Sequence, residues 1–540
     1  MREERAENAP FSLLFYSEKK FCRDLMQTNR LFLKTSPLRL FFLAAIPGAV
    51  SMLASSLYGL FDGIFVGQFL GQTPFAALNL AFPFVVINFA LADLIGVGSS
   101  ALIAIRLGQG EEREANNLFT CACLMIVITG LATGLALFLG APALLGMLGA
   151  EGELLDLAVR YLRIYTLFSP ITTIVFAMDN YLRICGKIKL SMWLNIGMSL
   201  LTVALDLLFL TVFRWGIEGA ALAACLGMVV SASVAFSCFL TRKLQLKFCR
   251  PRFKGWMIRR IVGCGSPNFL NNVAGRITSI VMNAVLLSRG GEEAVSIYGI
   301  LMYVGEFVQP LLYGVCDSLQ PAVGYNWGAG QIGRVKAIER CCFTAGAVIS
   351  VVAAALVFII PGPIASLFAE DPSPAFLETA SLALRLYGIG FLIRWFSFAA
   401  QSYMIAVDRA VAAAVISVTF SLGFPLLLIA ALWPLGLNGL WLNFAGSSLL
   451  SGLLSAFVLL RFRNVLKARS FEHHPDPDAE PESDSENGPA EAPAPGTKPA
   501  EDPAPEAGSE GDLNPEAESA DDTASGAGPA EDPASEGKPC

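Results

Sequence analysis

Residues 38–66 read LRLFFLAAIPGAVSMLASSLYGLFDGIFV, and this stretch decides the fold. Its only charged residues are Arg39, near its start, and Asp62. A helix of about 20 apolar residues crosses the hydrocarbon core of a bilayer, which is about 30 Å thick. The stretch therefore predicts a transmembrane helix, with one acidic side chain inside the membrane.

Similar apolar runs follow along most of the chain. Of its residues 54% are hydrophobic and 15% are charged, whereas a soluble domain carries about 25% charge. This composition excludes an ordinary soluble enzyme, and the alternation of a β-barrel is absent. We predict an all-α integral membrane protein with twelve transmembrane helices, at 38–66, 75–106, 118–142, 158–183, 189–213, 217–240, 258–288, 294–325, 338–368, 378–406, 411–433 and 438–461.

Basic residues alternate from loop to loop. They collect before the first span and after every even-numbered span, as at Arg106, Lys187 and Arg334, while the opposite loops are short and acidic or neutral. By the positive-inside rule both termini are cytoplasmic, which requires an even number of spans. We therefore expect a multi-pass protein of the cell inner (plasma) membrane. The basic residues orient the protein in the bilayer, and we expect no binding of nucleic acid.

The chain contains an internal repeat. Pro47, Gly71, Gly108 and Gly110 recur at one constant spacing, as Pro267, Gly291, Gly328 and Gly330, and a small indel shifts this register in the fourth and tenth spans. A unit of six spans gives two copies of the same orientation, which is the parallel-repeat plan of many secondary transporters. We expect the substrate path between the halves.

The predicted segments are a cytoplasmic N-terminal segment (1–35), an N-lobe (36–242), a basic linker (243–257), a C-lobe (258–465) and an acidic, disordered tail (466–540).

The tail and the cysteines carry no predicted chemistry. Between 470 and 540 the chain has 20 acidic residues and two lysines, so the rest of the chain is basic despite a net charge of −7. The twelve cysteines are scattered, and both histidines, His473 and His474, stand at the edge of the tail. We expect no signal peptide, no catalysis, no resident cofactor and no metal site, apart from a transported cation.

Among the acidic residues inside predicted spans of the first half, Asp62 and Asp206 are the candidates for binding a cation. Asp62 follows Tyr58 by one turn in the first span, and Asp206 follows Thr202 by one turn in the fifth. An ionisable group at the centre of a bilayer costs about 2.5–3.5 kcal/mol on insertion scales, so each is a candidate for function. Such a carboxylate can ionise to hold a cation or take up a proton. A structural hydrogen bond between helices is the alternative.

The second half carries other charges. Arg276 lies in the seventh span, and Glu306 and Asp317 lie three turns apart on the eighth, so that Arg276 is expected to neutralise one of them.

In the fourth span Asp179 and Arg183 are spaced i, i+4 and are expected to pair. The candidates for lining the substrate cavity are Asn88, Asn180, Arg276, Glu306, Gln309, Tyr313 and Asp317.

The chain resembles the multidrug and toxic compound extrusion (MATE) transporters, especially the bacterial branch with DinF-like and MepA-like pumps. The resemblance covers about 36–465 and rests on Ser56-Leu-Tyr58, Asp62-Gly-Ile-Phe-Val-Gly67, Leu94-Ile-Gly-Val-Gly98, Leu107-Gly-Gln-Gly110, Leu205-Asp206, Gly216-Ile-Glu-Gly-Ala-Ala-Leu-Ala223 and, most specifically, Leu319-Gln-Pro-Ala-Val-Gly-Tyr-Asn-Trp-Gly-Ala329. It implies two six-helix lobes in a V, alternating access, and antiport of small lipophilic, often cationic compounds against H⁺ or Na⁺.

The resemblance also implies roles for single residues. In that family the acidic residues of the first and fifth spans, here Asp62 and Asp206, form a cation site in the N-lobe, and a proline at the position of Pro47 lets the first helix bend. Two positions depart from the family pattern: an Asn is replaced by Thr202, and a Thr of the sixth span by Ala224. Since Na⁺ requires several oxygen ligands, these departures favour H⁺ as the coupling ion.

Other functions remain open on the sequence alone. A flippase or exporter of a lipid-linked or endogenous metabolite shares this architecture, and Arg276 fits the cationic clefts that such proteins have. A channel or receptor is a weaker alternative, because neither needs duplicated halves. A nucleotide-binding Gly-Lys-Ser/Thr loop is absent, which argues against ATP-driven export. We expect a monomer.

Overall fold

The computed structural model describes residue 28 and the ranges 30–241, 244–368 and 373–471, the last without the side chains of 465–471. Within them every regular element is helical, and eleven helices are long and apolar enough to cross a membrane. We label the spans α1 (Pro37–Leu70), α2 (Gln72–Gly108), α3 (Glu112–Met147), α4 (Gly152–Ile184), α5 (Ile188–Val212), α6 (Ile217–Leu240), α7 and α8 (both within Gly255–Gly328), α9 (Ile332–Ile359), α10 (Pro374–Ala406), α11 (Ala410–Ala431) and α12 (Trp433–Asn464).

The longest helical element contains two spans. Its 74 residues are interrupted at Gly291, whose φ of 64° and ψ of −160° are not helical. Gly71 separates α1 from α2 with nearly the same geometry, φ 91° and ψ −170°. Glycine adopts positive φ without the steric cost that a β-carbon imposes. Divided at Gly291 into α7 (255–290) and α8 (292–328), the element completes the predicted twelve spans, and the predicted fold class is confirmed.

The repeat is visible in the backbone at other turns as well. Gly110 and Gly330, which follow α2 and α8, both have positive φ, and so do Gly216, which precedes α6, and Gly436, which begins the long helix of α12. All these pairs keep the constant spacing of the repeat. The two halves therefore turn the chain at equivalent places, and they form two six-helix lobes.

The lobes contact each other where α2 and α8 end. A β-carbon built on Gly108 would lie 2.1 Å from the carbonyl oxygen of Tyr325, and one built on Gly328 would lie 2.1 Å from that of Ile105. These two contacts are repeat-related, since Ile105 and Tyr325 occupy equivalent positions in the two halves. The absence of a side chain at both glycines lets the backbones touch. The basic residues that follow the even-numbered spans lie at this end of the molecule, where the lobes touch.

Predicted boundaries differ from the observed helix ends at several places. The ninth span was expected to reach residue 368, but α9 ends at Ile359, and a short separate helix, Pro361–Ser366, follows it. Pro361 has no N–H to continue the helical hydrogen bonds, so the chain turns there. The tail was expected to begin at 466, yet the last helix extends to Phe471. The predicted disorder of the tail falls beyond the described residues, and the other predicted segment boundaries stay a prediction.

The described part of the basic linker is packed against α3. The Asn116 and Asn117 side chains accept hydrogen bonds from the backbone N–H groups of Lys247 and Arg252, at 2.7 and 2.8 Å. Phe248 lies 4.7 Å from Phe119, measured between ring centroids. Side chains of α3 thus satisfy backbone groups of the linker, which fixes its path along one lobe.

Candidate functional site

Two adjoining cavities lie between the lobes. One, of about 650 Å³, is lined mainly by α1 and α2, and we call it the N-cavity. The other, of about 540 Å³, is lined mainly by α7, α8, α10, α11 and α12, and we call it the C-cavity. Ser55, Ser56, Tyr58 and Glu306 line both, so the two cavities meet at α1 and α8. This is the predicted location of a substrate path.

Asp62 and Asp206 come together on the N-lobe side. Asp62 lines the N-cavity and is 8% exposed, while Asp206 on the neighbouring helix α5 is fully buried. The two carboxylates are close enough to interact electrostatically. Oδ1 of Asp62 and both carboxylate oxygens of Asp206 are buried without a hydrogen-bond partner among the described residues. Buried polar atoms normally have partners, so these three oxygens are available to a proton or a cation.

Aromatic hydroxyl groups surround the pair. Tyr58 interacts electrostatically with both Asp62 and Asp206, and Tyr161 and Tyr165 of α4 interact with Asp62. Tyr58 lies one turn before Asp62, but Oδ1 of Asp62 accepts no hydrogen bond from it or from any other described residue. Without a hydrogen-bond donor to Oδ1, the buried carboxylate of Asp62 depends on a proton or a cation for stabilisation.

Thr202 and Pro47 lie within α5 and α1, the helices that carry Asp206 and Asp62. Thr202 is 1% exposed and packs on α6, where a β-carbon built on Gly227 would lie 2.2 Å from its Oγ1. Its hydroxyl is thus held one turn before the carboxylate of α5. Pro47 lies within α1, which remains one continuous helix from its first residue to its last. Its neighbour Gly48 packs against α8 at the lobe interface. A β-carbon built on Gly48 would lie 2.4 Å from the carbonyl oxygen of Gly314.

The C-cavity collects four of the predicted cavity residues: Arg276, Glu306, Gln309 and Tyr313. The predicted neutralisation of Arg276 is wrong. The ion pairs within the described residues belong to Arg106, Arg160, Arg183 and Arg260. Arg276 and Glu306 are both exposed to the cavity, so each can remain hydrated and needs no protein counter-ion.

Asp317 lies outside the lining of the C-cavity, in a polar network between α8 and α10. Its Oδ1 accepts hydrogen bonds from Gln320 Nε2 at 2.8 Å and from Ser402 Oγ at 3.0 Å. It also interacts electrostatically with Arg183 of α4. These partners, supplied by the tertiary structure, replace the expected Arg276.

The predicted pair on α4 is confirmed. Arg183 Nη2 lies 2.6 Å from Asp179 Oδ2, and the arginine side chain is 3% exposed. Arg183 Nη1 also donates to Ser318 Oγ of α8 at 3.3 Å, and Asn195 Nδ2 donates to Asp179 at 2.8 Å. The pair therefore joins α4 and α5 to the opposite lobe.

Two predicted cavity residues are placed elsewhere. Asn88 is 5% exposed and lies among α2, α3 and α4, where it donates to Ser169 Oγ at 2.8 Å and accepts from Thr133 Oγ1 at 2.6 Å. Its amide is satisfied by packing partners, so it is a structural residue. Asn180 is half-buried on α4 and lines neither the N-cavity nor the C-cavity.

Several residues that line the cavities were not among the predicted cavity residues. Arg394 and Trp441 line the C-cavity, and Tyr165 and Tyr387 line the N-cavity and the C-cavity respectively. The two tyrosines occupy repeat-related positions, in the register shifted by the indel. This correspondence in the sequence could have identified them as a pair. The repeat did not identify Trp441, because its repeat-related residue is Ala221. Its apolar character did not identify it either, because an apolar residue of a span can face lipid, protein or a cavity.

Comparisons with known proteins agree with this architecture. The MatE family model matches residues 47–208 and 267–429, one match in each lobe. Multidrug export protein MepA of Staphylococcus aureus (strain NCTC 8325 / PS 47) is 27% identical over 359 residues, which are 64% of this chain and 78% of MepA.

Solved structures share the fold. A crystal structure of MATE in complex with MaL6 superimposes with a TM-score of 0.77 at 21% identity, covering 82% of this chain and 99% of that one. An outward-facing multidrug resistance MATE family transporter of the MOP superfamily gives a TM-score of 0.76 at 21% identity, covering 81% and 98%. With a family match in each lobe, the chain belongs to the multidrug and toxic compound extrusion (MATE) family of membrane transporters.

Proposed function

We propose that this chain exports small lipophilic organic cations by antiport against protons, with Asp62 and Asp206 as the coupling site. The observation that carries the proposal is the group of three buried carboxylate oxygens without hydrogen-bond partners in the described structure. The relative MepA is a multidrug export protein, which supports organic compounds as substrates.

The energetics of the pair support coupling. Two carboxylates that are buried side by side in a low-dielectric environment repel each other when both are ionised. Burial of a charge without a partner is costly, so the site favours a state in which a cation or a proton is bound. A substrate that binds from the adjoining N-cavity changes this balance, which links its movement to that of the ion.

A proton fits the surroundings better than Na⁺. Sodium requires several oxygen ligands, and the sixth span contributes Ala224 and the thiol of Cys225 near the pair instead of a hydroxyl. Thr202 is the hydroxyl one turn before Asp206 on α5. A proton needs only one carboxylate oxygen, and three are available.

The arrangement of the lobes supports alternating access. The lobes touch at Gly108 and Gly328, at the end with the basic residues, and the cavities lie away from this contact. By the positive-inside rule the basic end is cytoplasmic, so we assign this conformation as outward-open in the plasma membrane, with both termini inside the cell. Pro47 provides the point at which α1 bends when the lobes rock, because it removes one helical hydrogen bond.

Transport in proteoliposomes tests the proposal. We expect a pH gradient to drive uptake of a fluorescent lipophilic cation and a Na⁺ gradient to have no effect. Asp62→Asn and Asp206→Asn, which keep the side-chain size, should each lower uptake at least about tenfold, since each removes an ionisable group from the membrane interior. Asp156→Asn is the matched control, because Asp156 is exposed and pairs with Arg160 at the surface. Full uptake by both buried-site variants would contradict the proposal.

A flippase or exporter of a lipid-linked metabolite is the second candidate, and exposed Arg276 in the C-cavity favours it. Accumulation of a lipid-linked cell-wall precursor in cells that lack the protein, with unchanged efflux of organic cations, would support this function instead. A channel would conduct without any imposed counter-gradient in the same vesicles.

A further inference from the structure

The lining of the C-cavity contains more basic than acidic residues. Its charged residues are Arg276, Arg394 and Glu306, and neither arginine forms an ion pair within the described structure. Trp441 also lines the cavity, is 2% exposed, and its buried Nε1–H has no hydrogen-bond partner in the described part of the chain. Indole N–H groups usually find a partner when buried, whereas the Trp441 N–H lacks an acceptor among the described residues.

Three amide acceptors of the cavity are already used. Gln309 Oε1 accepts from Arg394 Nη2 at 3.0 Å, Asn443 Oδ1 accepts from Ser447 at 3.1 Å, and Asn271 Oδ1 accepts from Ser421. The amide oxygens of these side chains therefore have internal donors. The guanidinium on α7 and the indole on α12 keep their donors for a molecule that enters from outside.

Arg394 is held in place while it remains unneutralised. Its guanidinium carbon lies 4.5 Å from the ring centroid of Phe420 and 4.8 Å from that of Phe444. The two rings and Gln309 fix the orientation of the guanidinium, which reduces the entropy lost on binding an anion. An arginine remains charged under all physiological conditions, and its planar fork matches the geometry of a carboxylate.

The N-cavity has the opposite charge. It is lined by Asp62 and by Glu306, which also lines the C-cavity, and among the described residues no arginine or lysine lines it. A molecule that spans both cavities thus meets acidic groups at one end and basic groups with aromatic rings at the other. We propose that the C-cavity is a carboxylate-binding site and that the preferred substrates are aromatic zwitterions, with a cationic end toward Asp62 and Glu306 and a carboxylate on Arg276, Arg394 and Trp441. This inference rests on the proposed function and narrows it, because it selects, among compounds with a cationic group, those that also carry a carboxylate.

Three xanthene dyes of similar shape separate the charge classes. Rhodamine 110 carries a cationic ring system and a carboxylate, rhodamine 123 is its methyl ester and only cationic, and fluorescein is anionic. Fluorescence polarisation with the purified full-length protein in detergent measures binding without any gradient. We expect rhodamine 110 to bind about tenfold more tightly than either other dye, because a charge-assisted bidentate contact is worth a factor of that order.

Variants locate the site. Arg276→Gln and Arg394→Gln should each weaken rhodamine 110 about tenfold and leave rhodamine 123 within about twofold, while Trp441→Phe should weaken rhodamine 110 about threefold. Arg394→Lys should retain part of the preference. The matched control is Arg289→Gln, because Arg289 lies on α7, rests on Trp433 at 3.9 Å and does not line the cavity; it should leave both dyes unchanged.

Several binding results would contradict the carboxylate site or the zwitterion. Equal binding of the ester and the acid by the unaltered protein, or an equal loss of affinity for rhodamine 110 and rhodamine 123 in either arginine variant, excludes a carboxylate site. Tightest binding of fluorescein would make the site one for anions and exclude the zwitterion. A charge preference in binding combined with no gradient-driven uptake would reject the proposed antiport while the carboxylate site stands, and uptake without a preference would do the reverse.

Discussion

The N-lobe and the C-lobe share a backbone and differ in the charges that face the cleft. Asp62 corresponds through the repeat to Met282, and Arg276 corresponds to Ser56, although all four residues line a cavity. By contrast, the glycines at the turns and at the lobe contact are retained in both halves. A backbone turn or close approach tolerates few residue types, whereas a side chain that faces a cavity is not constrained by packing. Duplication therefore fixed the scaffold and left the chemistry free to diverge.

The largest expected effect comes from moving the N-lobe carboxylate to the other lobe. Asp62→Met should lower pH-driven uptake in proteoliposomes at least about tenfold. Adding Met282→Asp should not restore it, because the residues that correspond to Asp206 are leucines, 426–428, and a single carboxylate lacks its companion.

The single Met282→Asp chain serves as the control for the cost of an acid in the C-lobe, and thermal unfolding in detergent checks that all three chains fold. If the double variant recovers uptake, the two lobes are interchangeable and the assignment of coupling to the N-lobe fails.

The buried ion pair on α4 offers an intermediate effect on stability. Asp179 and Arg183 correspond, in the register shifted by the indel, to Gln401 and Ile405 of the C-lobe. Arg183→Ile alone should reduce the free energy of unfolding by about 3–5 kcal/mol, since it leaves a buried carboxylate unpaired. The double variant Asp179→Gln, Arg183→Ile installs the C-lobe residues and should recover most of this loss.

Denaturant unfolding in micelles followed by circular dichroism measures both. Arg160→Met, which removes an exposed pair with Asp156, should cost less than about 1 kcal/mol. A double variant as unstable as the single one would show that Arg183 acts mainly through Ser318 of the opposite lobe rather than through Asp179.

The smallest effect is expected where the lobes are equivalent. Gly108→Ala and Gly328→Ala each place a methyl group 2.1 Å from a carbonyl oxygen of the other lobe, and overpacking of this kind costs about 1–3 kcal/mol. The two variants should lower the unfolding free energy by similar amounts. Gly333→Ala is the control, because no atom lies within 4 Å of a β-carbon at that helical position. A large difference between the two glycines would mean that the contact does not follow the repeat.

The sequence by itself determined the twelve spans, the repeat and the place of the buried acids. Hydropathy and length specify membrane helices because the bilayer requires every backbone group to be bonded within its own helix. The glycines at Gly71 and Gly291 were readable because positive φ is inexpensive only for glycine. Asp62 and Asp206 were identifiable because an acid inside an apolar run is costly wherever the run packs.

Only the tertiary structure decided which polar groups meet. Arg276 stands unpaired in a cavity within the described structure, Asp317 bonds to two side chains of α8 and α10, and Asn88 is buried among three helices. In an apolar span the hydrophobic pattern is nearly uniform, so the sequence does not show which face of a helix points to lipid, to protein or to the cleft. That choice depends on how twelve helices pack, through contacts between residues far apart in the chain, and it alone placed Arg394 and Trp441 in the same cavity as Arg276.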